Sequence, residues 1–195
     1  MPTSSIIDPA LLVRAYREGI FPMAVEGGEI AWFSPDPRGV IPLDACHVPA
    51  RLARVMRSGR FEIGIDRAFE AVMRACADRP GEGTWISEDI VQSYLALHRL
   101  GLAHSVEAWR DGRLAGGLYG VHLGGAFFGE SMFHRETDAS KVALAALGER
   151  LQRRSFRLLD VQWKTPHLAQ FGAIEIPRKA YLVMLRRALE VECAF

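Results

Sequence analysis

Cysteine is scarce in this sequence, and its spacing argues against two common kinds of site. The 195 residues include only three cysteines, Cys46, Cys76 and Cys193, and none of them belongs to a C-x-x-C pair. An odd, widely spaced set fits reduced thiols better than a disulfide framework or a structural zinc site. The six histidines lack metal-ligand spacing too, since no two of them form an H-E-x-x-H motif. We therefore expect no bound metal.

Long apolar runs and a recognisable export signal are also missing. Residues 1–5 contain neither a basic stretch nor an apolar core, so they do not resemble a secretion signal. The longest apolar runs are far shorter than the roughly 20 residues that a membrane-spanning helix needs. These absences predict a cytoplasmic protein that is not associated with a membrane.

A strong charge of either sign is the third absence. Lys and Arg number 24 against 23 Asp and Glu, for a formal net charge of +1. A protein that binds a long stretch of nucleic-acid backbone usually has a large basic excess. The arginines instead form two groups: Arg51, Arg54, Arg57 and Arg60, then Arg150, Arg153, Arg154 and Arg157. A solvated helix face explains each group as well, so any nucleic-acid contact is expected to be local.

Length and composition indicate an ordinary globular protein. Apolar residues make up 49% of the chain and charged residues 24%, which is typical of a domain with one good core. Asp8-Pro9 is a typical helix start, and the following residues up to Arg38 are rich in Pro, Gly and aromatic side chains. We therefore predict a small N-terminal subdomain over 1–38 and a larger domain over 39–195, acting as a monomer.

The larger domain is predicted to combine helices with an antiparallel run of strands. Capping residues predict helices that begin at Asp66, Ser87 and Asp138. Between the last two, alternating residues predict three strands over 103–110, 113–122 and 126–133, the first two joined by a hairpin turn. A strand over 157–163 follows the helix at Asp138. This order is that of the Gcn5-related acyltransferases, an α/β fold with a mixed sheet and flanking helices.

Three polar residues stand out on the predicted strands. Asp160 and Gln162 are two positions apart, so their side chains point to the same face of a strand, and Glu130 is on an earlier strand. Two carboxylates and an amide together can handle a proton and a polarised carbonyl group. The simpler interpretation is the ordinary polar–apolar alternation of a half-exposed strand. Ser131 is a poor nucleophile candidate, because Phe133 replaces the second glycine of G-x-S-x-G.

A series of short segments in one order resembles a known family. The segments are Tyr16-Arg17-Glu18-Gly19-Ile20-Phe21-Pro22, Trp32-Phe33-Ser34-Pro35-Asp36-Pro37-Arg38, Gly83-Thr84-Trp85-Ile86, His104-Ser105-Val106-Glu107, Gly116-Gly117-Leu118-Tyr119-Gly120, Phe127-Phe128-Gly129-Glu130-Ser131-Met132-Phe133, Ala139-Ser140-Lys141 and Asp160-Val161-Gln162. Together they resemble the leucyl/phenylalanyl-tRNA–protein transferases. The match runs from Tyr16 to about Tyr181, nearly the whole chain.

The resemblance implies a reaction and the residues that perform it. It implies transfer of Leu or Phe, with Met as a further candidate, from an aminoacyl-tRNA to proteins that begin with Arg or Lys, which marks them for N-degron proteolysis. Asp160 and Gln162 would act at the reacting amine and carbonyl group, and Glu130 would bind the donor's ammonium group. Ester aminolysis needs neither ATP nor a metal, and the expected partners are the acceptor end of the tRNA and the protein substrate.

A hole for the donor side chain is expected where consecutive strands and the next helix meet. Its candidate lining residues are Leu118, Phe127, Met132, Leu144 and Leu159. A flexible pocket that contains Met suits side chains unbranched at Cβ, although plain core packing explains Leu144 and Leu159 equally well. Trp85 is a candidate platform for the terminal adenine, a contact worth roughly 1–3 kcal/mol, or else a packing residue.

Several positions depart from the family pattern. Met23 and Phe33 stand where the family commonly has Trp, His134 replaces Ser, and Val161 replaces Cys. The first two keep the surface apolar but reduce stacking on adenine, so they bear on donor affinity more than on the reaction type.

Two alternatives to the transferase stay open on the sequence alone. The first is a coenzyme A-dependent N-acetyltransferase of the same fold, and the second is a non-catalytic tRNA- or peptide-binding module. Acetyltransferases of this fold bind the coenzyme A pyrophosphate on a glycine-rich turn at a helix N-terminus. The corresponding residues 134–138 contain no glycine and two acids. That argues strongly against coenzyme A, and no cofactor is expected.

Overall fold

The protein is described by a computed structural model over residues 6–79 and 83–195. The segment examined for an export signal, 1–5, and part of the predicted loop 78–83 lie outside these ranges. The strands are β1 Phe21–Ala24, β2 Ile30–Phe33, β3 Arg38–Ile41, β4 Glu62–Ile65, β5 Ala103–Arg110, β6 Arg113–Leu123, β7 Ala126–His134, β8 Leu158–Gln162 and β9 Ile174–Ile176. The α-helices are α1 Pro9–Arg17, α2 Ala50–Arg57, α3 Phe69–Ala77, α4 Glu88–Arg99, α5 Ala139–Arg153, α6 Pro166–Ala169 and α7 Arg178–Leu189.

A seven-stranded mixed sheet in the order β4-β5-β6-β7-β8-β3-β9 forms the centre of the fold. β7 and β8 are parallel, and the other neighbours are antiparallel. Helices pack on the sheet over two apolar clusters, one that includes Tyr16 and Tyr94 and one that includes Phe127 and Leu144. The predicted α/β fold with a mixed sheet and flanking helices is confirmed, including the antiparallel run of β5, β6 and β7.

The sheet opens between its two parallel strands. Pairing of β7 with β8 ends at Phe128 and Asp160, so the second half of β7 has no partner on that side. On the other side of β7, Tyr119 pairs with Ser131 and Gly120 with Gly129, which leaves Glu130 as the extra residue of a β-bulge. A bulge redirects a side chain, and here it turns Glu130 into the opening. A Cβ at Gly120 would lie 2.2 Å from the Phe128 carbonyl oxygen, so only glycine fits there.

The N-terminal residues contribute to the large sheet as well as to a separate hairpin. β1 and β2 form a two-stranded sheet of their own, whereas β3 lies between β8 and β9. The sequence did not predict β3, because its first residue follows a Pro-rich segment. The predicted boundary after Arg38 therefore coincides with the start of this strand, and the division into 1–38 and 39–195 stays a prediction.

Of the three predicted helix caps, Asp66 is wrong, Ser87 is confirmed, and Asp138 is confirmed in position only. Asp66 does not cap α3, because its carboxylate accepts a hydrogen bond from the Ser105 amide at 2.8 Å and lies 2.7 Å from His104 Nδ1. Asp138 is the N-cap residue of α5, as predicted, but its φ of 72° is left-handed and its side chain makes no capping hydrogen bond. Ser87 caps α4 as predicted by accepting a hydrogen bond from the Ile90 amide. The carboxylates of Asp66 and Asp138 serve tertiary contacts instead, that of Asp138 with Arg51.

Over the part of the chain that is described, no helix has both the length and the apolar character needed to cross a membrane.

Candidate active site

A cavity of about 710 Å³ opens where β7 and β8 diverge. Four of the five predicted pocket residues line it: Leu118, Met132, Leu144 and Leu159. Phe127 is not among the lining residues, because its fully buried ring packs in the core against Phe195 with 5.1 Å between ring centroids. The structure thus provides an apolar hole, with Phe127 supporting it from within the core.

Trp85 lies away from this cavity. Its side chain is half-buried and packs against the apolar cluster that contains Tyr16. Its carbonyl oxygen accepts a hydrogen bond from the Ala24 amide at 3.1 Å, which ties the segment after the loop to β1. Its stacking role stays a prediction, and its packing role is visible.

Glu130 is the carboxylate that lines the cavity on the β7 side. It is 8% exposed, and its Oε1 accepts a hydrogen bond from the Tyr16 hydroxyl at 2.7 Å. The Tyr94 hydroxyl lies 3.4 Å from Oε2 and is also hydrogen-bonded to the Tyr16 hydroxyl. Burial raises the pKa of Glu130 to about 7, although the bond from Tyr16 opposes this shift. Near neutral pH this carboxyl group can therefore be either charged or neutral.

Asp160 is completely buried and already uses both carboxylate oxygens. It accepts two hydrogen bonds from Arg38, from Nε at 2.9 Å and from Nη2 at 2.6 Å. It also accepts one from the Tyr181 hydroxyl at 2.6 Å and one from the backbone N–H of Gln162 at 2.8 Å. Arg38 is only 1% exposed, so the two charges compensate each other inside the protein. A carboxylate held in this way can fix its neighbours in place, but it has no free route to a substrate proton.

Gln162 combines an unusual backbone with an unused donor. Its φ of 63° is rare for a residue other than glycine. The hydrogen bond from its backbone N–H to the Asp160 carboxylate stabilises this conformation. Its Nε2 is buried and has no hydrogen-bond partner among the described residues, while its side chain is close enough to Glu130 to lower the pKa of that group. A side-chain amide has two N–H donors, so one can face Glu130 while the other is available to a ligand atom.

The two faces of β8 divide as the alternation predicts. Leu159, Val161 and Trp163 line the cavity, whereas Asp160 and Gln162 do not. The side-chain amide of Gln162 lies beside Glu130, which does line the cavity. The three predicted polar residues are therefore together in space, with Glu130 at the wall, Gln162 beside it and Asp160 buried.

The sequence matches the family described as leucyl/phenylalanyl-tRNA protein transferase over residues 40–186, and the N-terminal domain of that family over residues 6–36. A protein of this name from Rubrobacter xylanophilus is 58% identical over 190 residues, which cover 97% of this chain and 98% of that protein. One from Gloeobacter violaceus is 56% identical, with 97% of each chain covered.

This chain belongs to the leucyl/phenylalanyl-tRNA–protein transferase family. The resemblance drawn from the ordered motifs is confirmed, and the chain is an aminoacyltransferase. Likeness to solved structures is weaker: a functionally unknown conserved protein from Staphylococcus epidermidis superposes with a TM-score of 0.48 at 15% identity, over 91% of this chain and 67% of that one.

Membership of the transferase family indicates which atoms the site must serve. Aminoacyl transfer needs a hole for the donor side chain, a group for its ammonium and a donor for the oxyanion. Leu118, Met132 and Leu144 lie in the apolar wall, Glu130 supplies a carboxylate, and Gln162 supplies an unpaired N–H. In the described ranges, no group of three or more His, Cys, Asp or Glu is placed to hold a metal ion.

Sequence reasoning missed the residues that bind the two carboxylates, Glu130 and Asp160. Tyr16 and Tyr94 bind Glu130, and Arg38 and Tyr181 bind Asp160. No periodicity indicates them, since Arg38 and Asp160 are 122 positions apart. The available signal was the family motifs, because Tyr16 opens one transferase motif and Arg38 closes the next.

Proposed function

We propose that this transferase moves Leu or Phe, and also Met, from aminoacyl-tRNA to the free N-terminal amine of proteins that begin with Arg or Lys. The products would enter N-degron proteolysis in the cytoplasm. The observation that supports this most strongly is the apolar cavity with Glu130 in its wall and the unpaired amide of Gln162 beside it.

The proposed reaction is aminolysis of an ester. The acceptor amine attacks the carbonyl carbon, a C–N bond forms, and the tetrahedral intermediate then loses the ribose oxygen. The proton leaves the amine and ends on that oxygen, so the step needs no co-reactant. Gln162 Nε2 would turn into the cavity and donate to the oxyanion, while Asp160 acts as a positioning residue that fixes the left-handed backbone of Gln162.

The shape of the cavity and the charge of the donor's ammonium group would select the donor. Glu130, when ionised, would pair with the donor's ammonium group. The side chain would lie among Leu118, Met132 and Leu144, where branching at Cβ would collide near the reacting carbon. One methylene group changes binding by only about 1–3 kcal/mol, so shape close to the reaction centre must exclude Val and Ile.

The acceptor preference for Arg or Lys is supported by charge beside the site. A second cavity of about 270 Å³ shares Trp163 with the first and is lined by Asp36 and Glu175. Asp36 Oδ1 accepts a hydrogen bond from the Arg178 amide, which holds its carboxylate in place. A basic first residue would find opposite charge and an aromatic face there, next to the strand that ends at Gln162.

Transfer of labelled Leu to peptides that differ only in their first residue tests this function. Peptides beginning with Arg or Lys should be modified, and those beginning with Glu or Ala should not. Phe-tRNA should replace Leu-tRNA, whereas Val-tRNA and Ile-tRNA should fail. Consumption of acetyl-CoA, or binding of charged tRNA without transfer, would instead support one of the two alternatives.

A further inference from the structure

One end of the large cavity carries a lysine and two histidines with no part in the chemistry described so far. His134 ends β7, Lys141 lies in the first turn of α5, and His167 lies on α6, and all three line the cavity. His167 Nε2 is buried and finds no hydrogen-bond partner within the described ranges. Burial, and then the positive charges of Lys141 and His134, lower the pKa of His167. A neutral imidazole still offers one N–H donor, and an anion bound beside it would offset the positive charge of Lys141.

The opposing charge at this end is small. Asp138 is the lining carboxylate nearby, with its Oδ1 3.9 Å from Lys141 Nζ. Its Oδ2 is already paired with Arg51 Nη2 at 3.3 Å. A lysine ammonium has three donors, so this long contact leaves Lys141 able to bind another oxygen. The hydroxyl groups of Ser140 and Thr165 line the same part of the cavity and add further donors.

We infer that this cationic end, defined by His134, Lys141 and His167, binds a phosphate of the donor's terminal nucleotide. The inference rests on the proposed function, because it takes the donor to be an aminoacyl-tRNA. Such a donor brings a phosphate attached to the same nucleoside that carries the amino acid. Lys and His⁺ form strong charge-assisted hydrogen bonds with phosphate oxygens.

The signs of the charges separate the two substrates of the enzyme. An acceptor that begins with Arg or Lys is cationic at both its amine and its side chain, so Lys141 would repel it. The carboxylates Asp36 and Glu175 line the other cavity, across Trp163. The anionic donor and the cationic acceptor would thus approach from opposite ends. This arrangement also gives a reason for a local nucleic-acid contact in a protein of net charge +1.

The test compares two minimal donors that differ by a single phosphate. The probes are phenylalanyl-3′-amino-adenosine, an amide that cannot be transferred, and the same compound with a 5′-phosphate. Binding of each to the whole protein is measured by calorimetry at fixed salt. In the unmodified protein the phosphate should tighten binding by roughly tenfold or more, as a charge-assisted contact does.

The variants identify the groups that carry this difference. In the double variant Lys141→Met/His167→Gln the phosphate advantage should fall to less than about twofold, while binding of the unphosphorylated probe stays within about twofold. Lys141→Arg should retain the advantage, which guards against a simple failure to fold. Lys164→Met is the matched control, because Lys164 is exposed, does not line the cavity and carries the same charge.

Two results would overturn the inference: no phosphate advantage in the unmodified protein, or the same advantage in the double variant. An equal loss in Lys164→Met would show that general charge, and not this site, is responsible. Transfer from full-length Phe-tRNA to an Arg-peptide is assayed in parallel with the unmodified protein. Failure of that assay would refute the proposed function itself, whereas transfer without a phosphate effect would refute only the phosphate site.

Discussion

Asp160 and Gln162 are two residues apart, yet their removal should have different consequences. Asp160→Ala leaves the buried Arg38 without its partner, and breaking such a pair typically costs about 3–5 kcal/mol of unfolding free energy. Gln162→Ala removes an amide whose Nε2 is unpaired, so its unfolding free energy should stay within about 1 kcal/mol of the unmodified protein. Urea denaturation measures both. Equal stability of the two variants would contradict the positioning role of Asp160.

Because the pKa of Glu130 is raised, we expect donor binding to depend on pH. Its raised pKa of about 7 means that the carboxyl group is largely neutral at pH 6 and largely ionised at pH 8. Only the ionised form can pair with an ammonium group, so affinity for phenylalanyl-3′-amino-adenosine should increase as pH rises through 7. In Glu130→Gln only the ligand's own ammonium group still titrates, so the same titration with that variant gives its contribution separately. A parallel pH profile in that variant would show that Glu130 does not bind the donor.

Among the secondary-structure elements, β7 and its bulge determine where Glu130 points. Gly120→Ala should strongly destabilise the protein, because the new Cβ would lie 2.2 Å from the Phe128 carbonyl oxygen and force β6 and β7 apart. Gly129→Ala is the matched control, since its Cβ would make only an ordinary contact of 3.4 Å with Asp160. Thermal melting of both variants gives the comparison. Similar melting temperatures would mean that the close approach at Gly120 is not needed.

Among the secondary-structure elements, the sequence predicted those turns, caps and strands that depend on residues close together along the chain. The hairpin at Asp111-Gly112, the cap at Ser87 and the run of β5 to β7 follow from local periodicity and turn residues, and the structure contains them. β3 follows a Pro-rich segment and exists because β8 and β9 pair with it from 118 or more positions away. Asp66 looked like a helix cap, but Ser105 and His104 take its carboxylate.

The same limit applies to the candidate site. Period-two spacing and the family motifs placed Glu130, Asp160 and Gln162 in one group, and they are close together in the structure. The four side chains that hold them, Tyr16, Arg38, Tyr94 and Tyr181, come from separate elements. Phe127 was expected in the pocket wall, but it lies on the half of β7 that still pairs with β8, away from the opening.

The charge of the whole molecule predicts a small footprint on the tRNA. A net charge of +1 does not provide an extended basic surface, and in the first arginine group Arg51 and Arg60 already pair with Asp138 and Glu136. An acceptor-stem minihelix charged with Phe should therefore be nearly as good a donor as the whole tRNA. Comparison of kcat/KM for the two donors measures this. A loss of several orders of magnitude with the minihelix would show that contacts far from the acceptor end are needed.

The central claim is that the molecule is a transferase whose reaction centre includes Gln162. Single-turnover transfer from Phe-tRNA to an Arg-peptide, by the unmodified protein and by Gln162→Ala, tests it most directly. Loss of an oxyanion donor should slow transfer by roughly 10²–10³-fold, with little change in donor affinity or melting temperature. A well-folded Gln162→Ala enzyme that transfers Phe at the unmodified rate would contradict the assignment of this site.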